Sequence, residues 1–352
     1  MLQDGDRLNK STILGLAAMA LAVLVVANDF TALSVALPAM EREFGADVTT
    51  VQWVINGYAL VFGVLIVTGG RLADMFGRRR IFFLGASIFA VFSTFGGFAP
   101  RIGLLLTCRA LMGVGGAMMW PAILGMTYSL LPKSKAGLAG GLILGAAGFG
   151  NAVGPLIGGA LTDAVSWRWI FFLNFPIAAF AMLVTWRVVR ADGGTLSDRR
   201  VDYGGIACLS VGLLALLFAL DQGIDLGWTN PMIIVLFALV PVSFVGLMWI
   251  ERRVGAMALV PHDVLRNRTF GPACMAVLLM SAIFFAALLY LPQFMTKVLG
   301  YSASASGIGL LPLMGTFAVT SFVAGPLYEK MGPKLIVSLG AAFLAVGIFM
   351  LS

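Results

Sequence analysis

Two ionisable side chains stand inside long apolar runs, Asp29 within residues 12–38 and Arg109 within residues 103–131. A charge at the centre of a membrane-crossing helix costs about 2.5–3.5 kcal/mol on insertion scales, so each must face water, find a partner or, for Asp29, take a proton. A carboxylate in that setting can carry a proton or hold a cationic group. Asn28 and Thr31 beside it offer the alternative, a helix–helix hydrogen bond with no transport role. Arg109 stands about six residues into its run, so it either pairs inside the protein or snorkels to the near interface. Asn56 and Tyr58, in the run 51–71, are polar groups that can line a cavity, as can Asn28 and Thr31. Asp221 and Asp225 end their run and read as solvated, while Phe284, Phe285, Tyr290 and Phe294 read as lipid or core contacts. Cys108, Cys208 and Cys274 lie in apolar stretches as small packing residues, and the single histidine, His262, cannot build a metal site alone. No phosphate-cradling loop follows a strand pattern, so neither nucleotide drive nor any metal or organic cofactor is expected.

The elements that would position these residues are helices across a bilayer. Residues of hydrophobic type make up 60% of the 352, charged residues only 11%, and the mean hydropathy is +0.99. A soluble chain averages about 25% charged residues. The balance excludes a soluble enzyme, a nucleic-acid binder and a secreted disulfide scaffold, and fits an all-α polytopic membrane protein. Eleven runs read as spans: 12–38, 51–71, 81–99, 103–131, 138–162, 167–186, 204–221, 231–250, 270–295, 303–327 and 334–352. The first is not a cleaved signal, because the apolar run resumes directly after Asn28-Asp29. With the N-terminus placed in the cytoplasm, eighteen of the 23 lysines and arginines fall inside and four (Arg42, Arg101, Arg168, Lys297) outside. Positive residues favour the cytoplasmic side, so the net charge of +7 reports topology and contact with anionic lipid rather than nucleic acid.

Glycine patterns mark three places. Gly70-Arg71-Leu72-Ala73-Asp74-Met75-Phe76-Gly77-Arg78-Arg79-Arg80 reads as a tight cytoplasmic turn. Its glycines permit close approach or positive φ, and Asp74 can pair with Arg78 or cap the next helix. A weaker copy, Gly325 to Lys334, repeats the acid, glycine and bases at matching offsets and suggests two related halves. In the fifth run Gly150, Gly154 and Gly158 recur every four residues, beside Gly145, Pro155 and Gly159. One helix face of glycine admits another helix at close range, and Pro155 can kink or flex it. Trp167 and Trp169 read as interfacial anchors.

These stretches resemble the motifs of the major facilitator superfamily, and most closely its fourteen-span drug:proton antiporters. Gly70–Arg80 is similar to the cytoplasmic loop motif, Arg109–Ala117 to the motif whose arginine is implicated in proton coupling, and Gly145–Gly159 to the antiporter motif. Asp29–Pro38, Trp167–Pro176 and Asp202–Gly205 resemble stretches of the fourteen-span class. The resemblance implies a six-helix bundle over 1–186, a linker with two extra helices over 187–251, and a partial second bundle of three helices over 252–352. Eleven spans against fourteen imply a chain incomplete at its C-terminus. The implied function is export of hydrophobic or cationic small molecules across the cytoplasmic membrane in exchange for protons, without enzymatic chemistry. Asp29 and Arg109 would couple proton and substrate, Gly70, Asp74, Gly77, Arg78 and Arg79 would gate, and the fifth-span glycines would shape the exit path. A same-fold uptake symporter and a non-transporting membrane protein are the alternatives.

Overall fold

The computed structural model describes residues 9–132, 136–190, 202–254 and 267–351. Arg7, Lys133, Lys135, Arg199, Arg200, Arg266 and His262 lie outside the described residues. Among the described residues twelve helices follow one another: α1 Lys10–Ala32, α2 Leu37–Phe44, α3 Val48–Phe76, α4 Arg78–Gly97, α5 Ile102–Leu130, α6 Ala136–Ala164, α7 Arg168–Val188, α8 Tyr203–Leu226, α9 Pro231–Val254, α10 Phe270–Lys297, α11 Ala303–Met331 and α12 Pro333–Leu351. The described residues include no strand. Among them, ten helices are long and apolar enough to cross a membrane, and Lys334–Gly347 in α12 is a shorter apolar helix. A lipid-exposed segment must satisfy its own backbone hydrogen bonds, which is why the apolar runs fold as helices.

The first expected span, 12–38, is interrupted. α1 stops at Ala32, a turn follows, and α2 opens at Leu37. Pro38 stands in the first turn of α2, where its missing N–H costs nothing and where it cannot bond back to the Ser34 carbonyl to continue α1. The chain between them tightens into short turns, with Ser34 N–H bonding Thr31 O at 3.2 Å and Ala36 N–H bonding Leu33 O at 3.0 Å.

The expected turn at Gly70–Arg80 is also different. α3 continues as helix through Gly70 and Asp74 to Phe76, and Gly77 alone breaks it, at φ +100°. Gly70 lies inside the helix facing Pro121 of α5, where an added Cβ would make ordinary contact at 3.4 Å. The weaker copy repeats the device, with α11 and α12 separated by the single Gly332 at φ +78°.

The core lies among α1, α3, α4, α5 and α7, where Met19, Tyr58, Phe82, Phe89, Met112, Met119 and Phe171 are buried. Glycine sets the helix spacing. Gly85 of α4 and Gly115 of α5 each lie 2.6 Å, measured from an added Cβ, from the other's carbonyl. Gly113 in turn faces the Tyr58 carbonyl of α3 at 2.8 Å. α8 and α9 pack on each other, and α11 packs along α6. Trp167 is not an interfacial anchor as expected: it is buried, while Trp169 is exposed. The difference arises because Trp167 finds both a ring partner, Phe44, and a hydrogen-bond acceptor, Glu43, inside the protein.

Candidate functional site

Asp29 and Arg109 meet. Arg109 lies on α5 and Asp29 in the last turn of α1, and both side chains are completely buried. Arg109 Nη1 donates to Asp29 Oδ2, and Nε donates to the Val54 carbonyl of α3 at 2.6 Å. The guanidinium lies over the Tyr58 ring, 4.3 Å from its centroid, with the Phe171 ring at 5.9 Å. Snorkelling is therefore excluded for Arg109. The location suits a cation, because the last carbonyls of α1 leave partial negative charge around Asp29.

The second carboxylate oxygen is engaged from α7. Asn174 Nδ2 donates to Asp29 Oδ1 at 3.0 Å and to Ser93 Oγ of α4 at 3.1 Å, and Ser93 Oγ donates to the Phe171 carbonyl at 2.8 Å. Side chains of α5 and α7 thus bind the α1 carboxylate, and α3 and α4 in turn hold those side chains. Around it, Asn28 Oδ1, Tyr58 OH, Arg109 Nη2 and Asn174 Oδ1 are buried without a hydrogen-bond partner among the described residues.

Of the other cavity candidates, Thr31 turns towards α6. Its Oγ1 donates to the Asn28 carbonyl at 3.3 Å and fills the space beside Gly154, so it belongs to a helix seam rather than a cavity. Asn56 is half-buried two residues from Tyr58, on another face of α3, and does not reach the cluster. Phe285 is not only a lipid contact. Its ring stands 6.1 Å from Phe30, next to Asp29, and Phe30 meets Tyr58 at 4.7 Å. Phe284 instead stacks on Phe317 of α11 at 4.7 Å.

The glycine face of α6 points at α1. A Cβ on Gly150 would lie 2.9 Å from the Leu24 carbonyl, one on Gly154 would strike Thr31 Oγ1, and one on Gly158 would strike the Ala32 carbonyl. Gly159 faces the Ala303 carbonyl of α11 at 2.5 Å, and Gly307 of α11 presses on the Pro155 carbonyl. α6 is thus wedged between α1 and α11, and Pro155 lies at the α11 seam. Gly145 lies in an open apolar groove on the surface of α1 and α6, with Ala17, Leu21, Leu24, Leu142 and Phe149.

The helix ends are tied separately. At the Gly77 end, Asp74 pairs with Arg78 at 3.4 Å, Arg78 donates to the Gly125 carbonyl at 3.0 Å, and Arg79 donates to the Trp186 carbonyl at 2.9 Å. At the Gly45 end, Glu43 accepts from Trp167 Nε1 at 2.6 Å and from Arg168 at 2.7 Å, and Arg168 also donates to the Ala99 carbonyl at 3.0 Å. Lys297 of α10 pairs with Glu41 of α2 at 3.1 Å, and Asp163 of α6 accepts from the Ser304 N–H of α11 at 2.8 Å. At the Gly45 end α10 and α11 are therefore tied to α2 and α6.

Ser93, Glu43, Glu41 and Asp163 were not singled out from sequence, and Asn174 entered only as part of the Trp167–Pro176 stretch, with no role assigned to it. Asn174 had one available signal, a lone amide in the apolar middle of α7. The others carry none, since a serine or a glutamate near a helix end is ordinary.

Multiple apolar spans around a buried ion pair, with helices packed on glycine, define a multi-pass α-helical membrane protein. Residues 19–352 match the sequence model of the Major Facilitator Superfamily, and the chain belongs to that superfamily. It is 36% identical over 325 residues to the puromycin resistance protein of Streptomyces alboniger, covering 92% of this chain and 64% of that one. It is 31% identical over 348 residues to the multidrug resistance protein Stp of Mycobacterium tuberculosis, covering 98% and 64%. The chain thus spans less than two thirds of the length of these curated relatives. The fold is similar to a crystal structure of the peptide transporter POT in complex with sulfate, with a TM-score of 0.61 and 16% identity over 90% of this chain and 69% of that one.

Proposed function

We propose that the chain is a secondary active transporter of the fourteen-span drug:proton antiporter type. It exports hydrophobic or cationic small molecules across the cytoplasmic membrane in exchange for protons, with its N-terminus and its Gly77 end in the cytoplasm. The relatives named for puromycin and multidrug resistance support the substrate class.

The observation that carries the proton part is the fully buried Asp29–Arg109 pair. Both Asp29 oxygens are engaged within the protein, by Arg109 and Asn174, which favours proton carriage over direct contact with a cationic substrate. The pair is an intramembrane switch. While Asp29 is ionised, it attracts Arg109 and draws α1 and α5 together. A proton on Asp29 removes that attraction and leaves Arg109 to find another partner, so the two helices can rearrange. Such a change biases a bistable bundle by its effect on one arrangement alone. The glycine seams of α6 allow close sliding, and Gly70, Asp74, Gly77, Arg78 and Arg79 hold the cytoplasmic ends of α3 and α4 against α5 and α7 as the gate.

The test is Asp29→Asn, expressed from the chain's own gene in an efflux-deficient host and measured in membrane vesicles at matched protein level. Efflux driven by a pH gradient should be lost for a cationic and a neutral dye, while exchange of dye down its own gradient persists. Full gradient-driven efflux of both dyes would overturn the reading.

A further inference from the structure

We infer that Asp163 and Glu41 form a two-point latch on the corner between α10 and α11. The latch holds the Gly45 end shut, and both ties release before that end opens. The inference rests on the reading of the chain as a transporter that opens to each side in turn.

The corner is one stiff piece. Lys297 closes α10, and α11 begins at Ala303. Between them Gly300 takes φ +72°, a left-handed turn that glycine enters without a Cβ penalty. The turn is bonded back onto α10, from Val298 N–H to the Phe294 carbonyl at 2.9 Å and from Tyr301 N–H to the Met295 carbonyl at 3.0 Å. The hydroxyls of Thr296 on α10 and Ser306 on α11 share a hydrogen bond of 3.1 Å. Lys297 and the first turn of α11 therefore move together.

One face of α6 is shaped to receive this corner. Pro155, Gly159 and Asp163 recur every four residues and share a face, separate from the Gly150, Gly154 and Gly158 face that meets α1. α11 runs antiparallel along it. Gly307 presses on the Pro155 carbonyl, and a Cβ on Gly159 would lie 2.5 Å from the Ala303 carbonyl oxygen and 2.9 Å from Ser304 Cα. Asp163 comes one turn further on, where α11 opens.

There it supplies a cap from another helix. The first N–H groups of a helix have no partner within it. Ser302 covers one of them locally, its Oγ accepting from Ala305 N–H at 3.1 Å. Asp163 Oδ2 covers the neighbouring Ser304 N–H at 2.8 Å and sets its negative charge at the positive end of the α11 dipole. The Ser302 cap survives any movement of α11. The Asp163 cap exists only while α6 and α11 touch, so it favours the arrangement in which they do.

The second tie leaves the same corner in another direction, from Lys297 to Glu41 of α2 at 3.1 Å. The contacts of Glu43 with Trp167 and Arg168 lie within the first six spans and would outlast a parting of α10 and α11 from them. Asp163 and Lys297 are both exposed, so water takes up the freed groups when the ties break. A latch of this kind opens at small cost and closes again, as a transport cycle requires.

The experiment reads the opening directly. Spin labels at Leu104, at the start of α5, and Leu299, in the corner, report the distance between the two bodies at the Gly45 end, in the full chain in lipid vesicles with Cys108, Cys208 and Cys274 replaced by alanine. Losing a helix cap shifts a two-state equilibrium by about two- to thirty-fold. Asp163→Ala should raise the ratio of long to short distances by that factor, and Asp163→Asn, which keeps an accepting oxygen, by less. Lys297→Gln should raise it by about two- to five-fold, and combined with Asp163→Ala the two factors should multiply, because both act on one equilibrium. Arg168→Gln breaks a tie within the first six spans and should leave the ratio unchanged. An unmoved ratio in Asp163→Ala overturns the latch, and so does an equal rise in Arg168→Gln, which marks general loosening. If Asp163→Ala does not accumulate, Asp163→Asn and Lys297→Gln decide, unmoved ratios in both again overturning it. Gradient-driven efflux of a cationic dye by the unsubstituted chain separates the two claims. Absent efflux removes the transporter reading, whereas efflux with unmoved ratios in the variants removes only the latch.

Discussion

Gly158→Ala tests the close seam between α6 and α1. The added methyl would strike the Ala32 carbonyl oxygen, with the Ala32 carbonyl carbon at 2.9 Å and Cα at 3.0 Å. Ordinary contact begins near 3.4 Å. All three obstructing atoms are backbone, so no rotamer change relieves the overlap and the helices must part. Overpacking of this kind costs about 1–3 kcal/mol, which is about 5- to 150-fold in a conformational equilibrium. The cost falls on the conformer in which α1 and α6 touch. Ala32 is three residues beyond Asp29, so displacement of α1 reaches the ion pair as well. Thermal unfolding in detergent and gradient-driven efflux in vesicles should both fall for Gly158→Ala. Gly141→Ala on the same helix, where an added Cβ meets nothing within 4 Å, should leave both unchanged. Wild-type melting and efflux in Gly158→Ala would refute the claim that contact at this seam requires glycine.

The buried pair makes a second expectation. Arg109→Ala leaves the Asp29 charge buried and uncompensated and should destabilise the protein by about 3–5 kcal/mol, while adding Asp29→Asn should restore part of the loss; additive effects in denaturation would contradict the pairing. Arg109→Lys keeps the charge but loses the Val54 bond and the flat stacking on Tyr58, so coupled efflux should fall although the protein still accumulates. Gly77→Ala forces a side chain into φ +100° and should lower stability by about 1–3 kcal/mol, read from the unfolding midpoint against Gly63→Ala. Finally, Arg79→Cys should react with a membrane-impermeant thiol reagent only from the cytoplasmic side, and labelling of intact cells would reverse the proposed orientation.

Much of this was legible in the chain itself. Apolar runs of spanning length leave the backbone no choice but helix, so the spans and the all-α membrane fold follow from composition and charge placement. The α6 glycine face was visible from its four-residue period, and so was the positional meaning of Gly77, because local backbone geometry depends on nearby residues. Asp29 and Arg109 each stood out by their cost in an apolar run. What they do with that cost was not visible, because eighty residues separate them. Snorkelling, hydration and pairing remain equally consistent with a single helix.

Tertiary structure alone decided the rest. It chose pairing for Arg109, placed Thr31 in a seam, and took Trp167 from the interface into the core beside Glu43. It also brought Asn174, itself held by Ser93 of another helix, onto the second oxygen of Asp29. The physical reason is one of range. Hydrophobic period, glycine spacing and proline breaks act within a few residues and are written along the chain. Satisfying a buried polar atom depends on which helices lie side by side, and that is settled only when all of them pack.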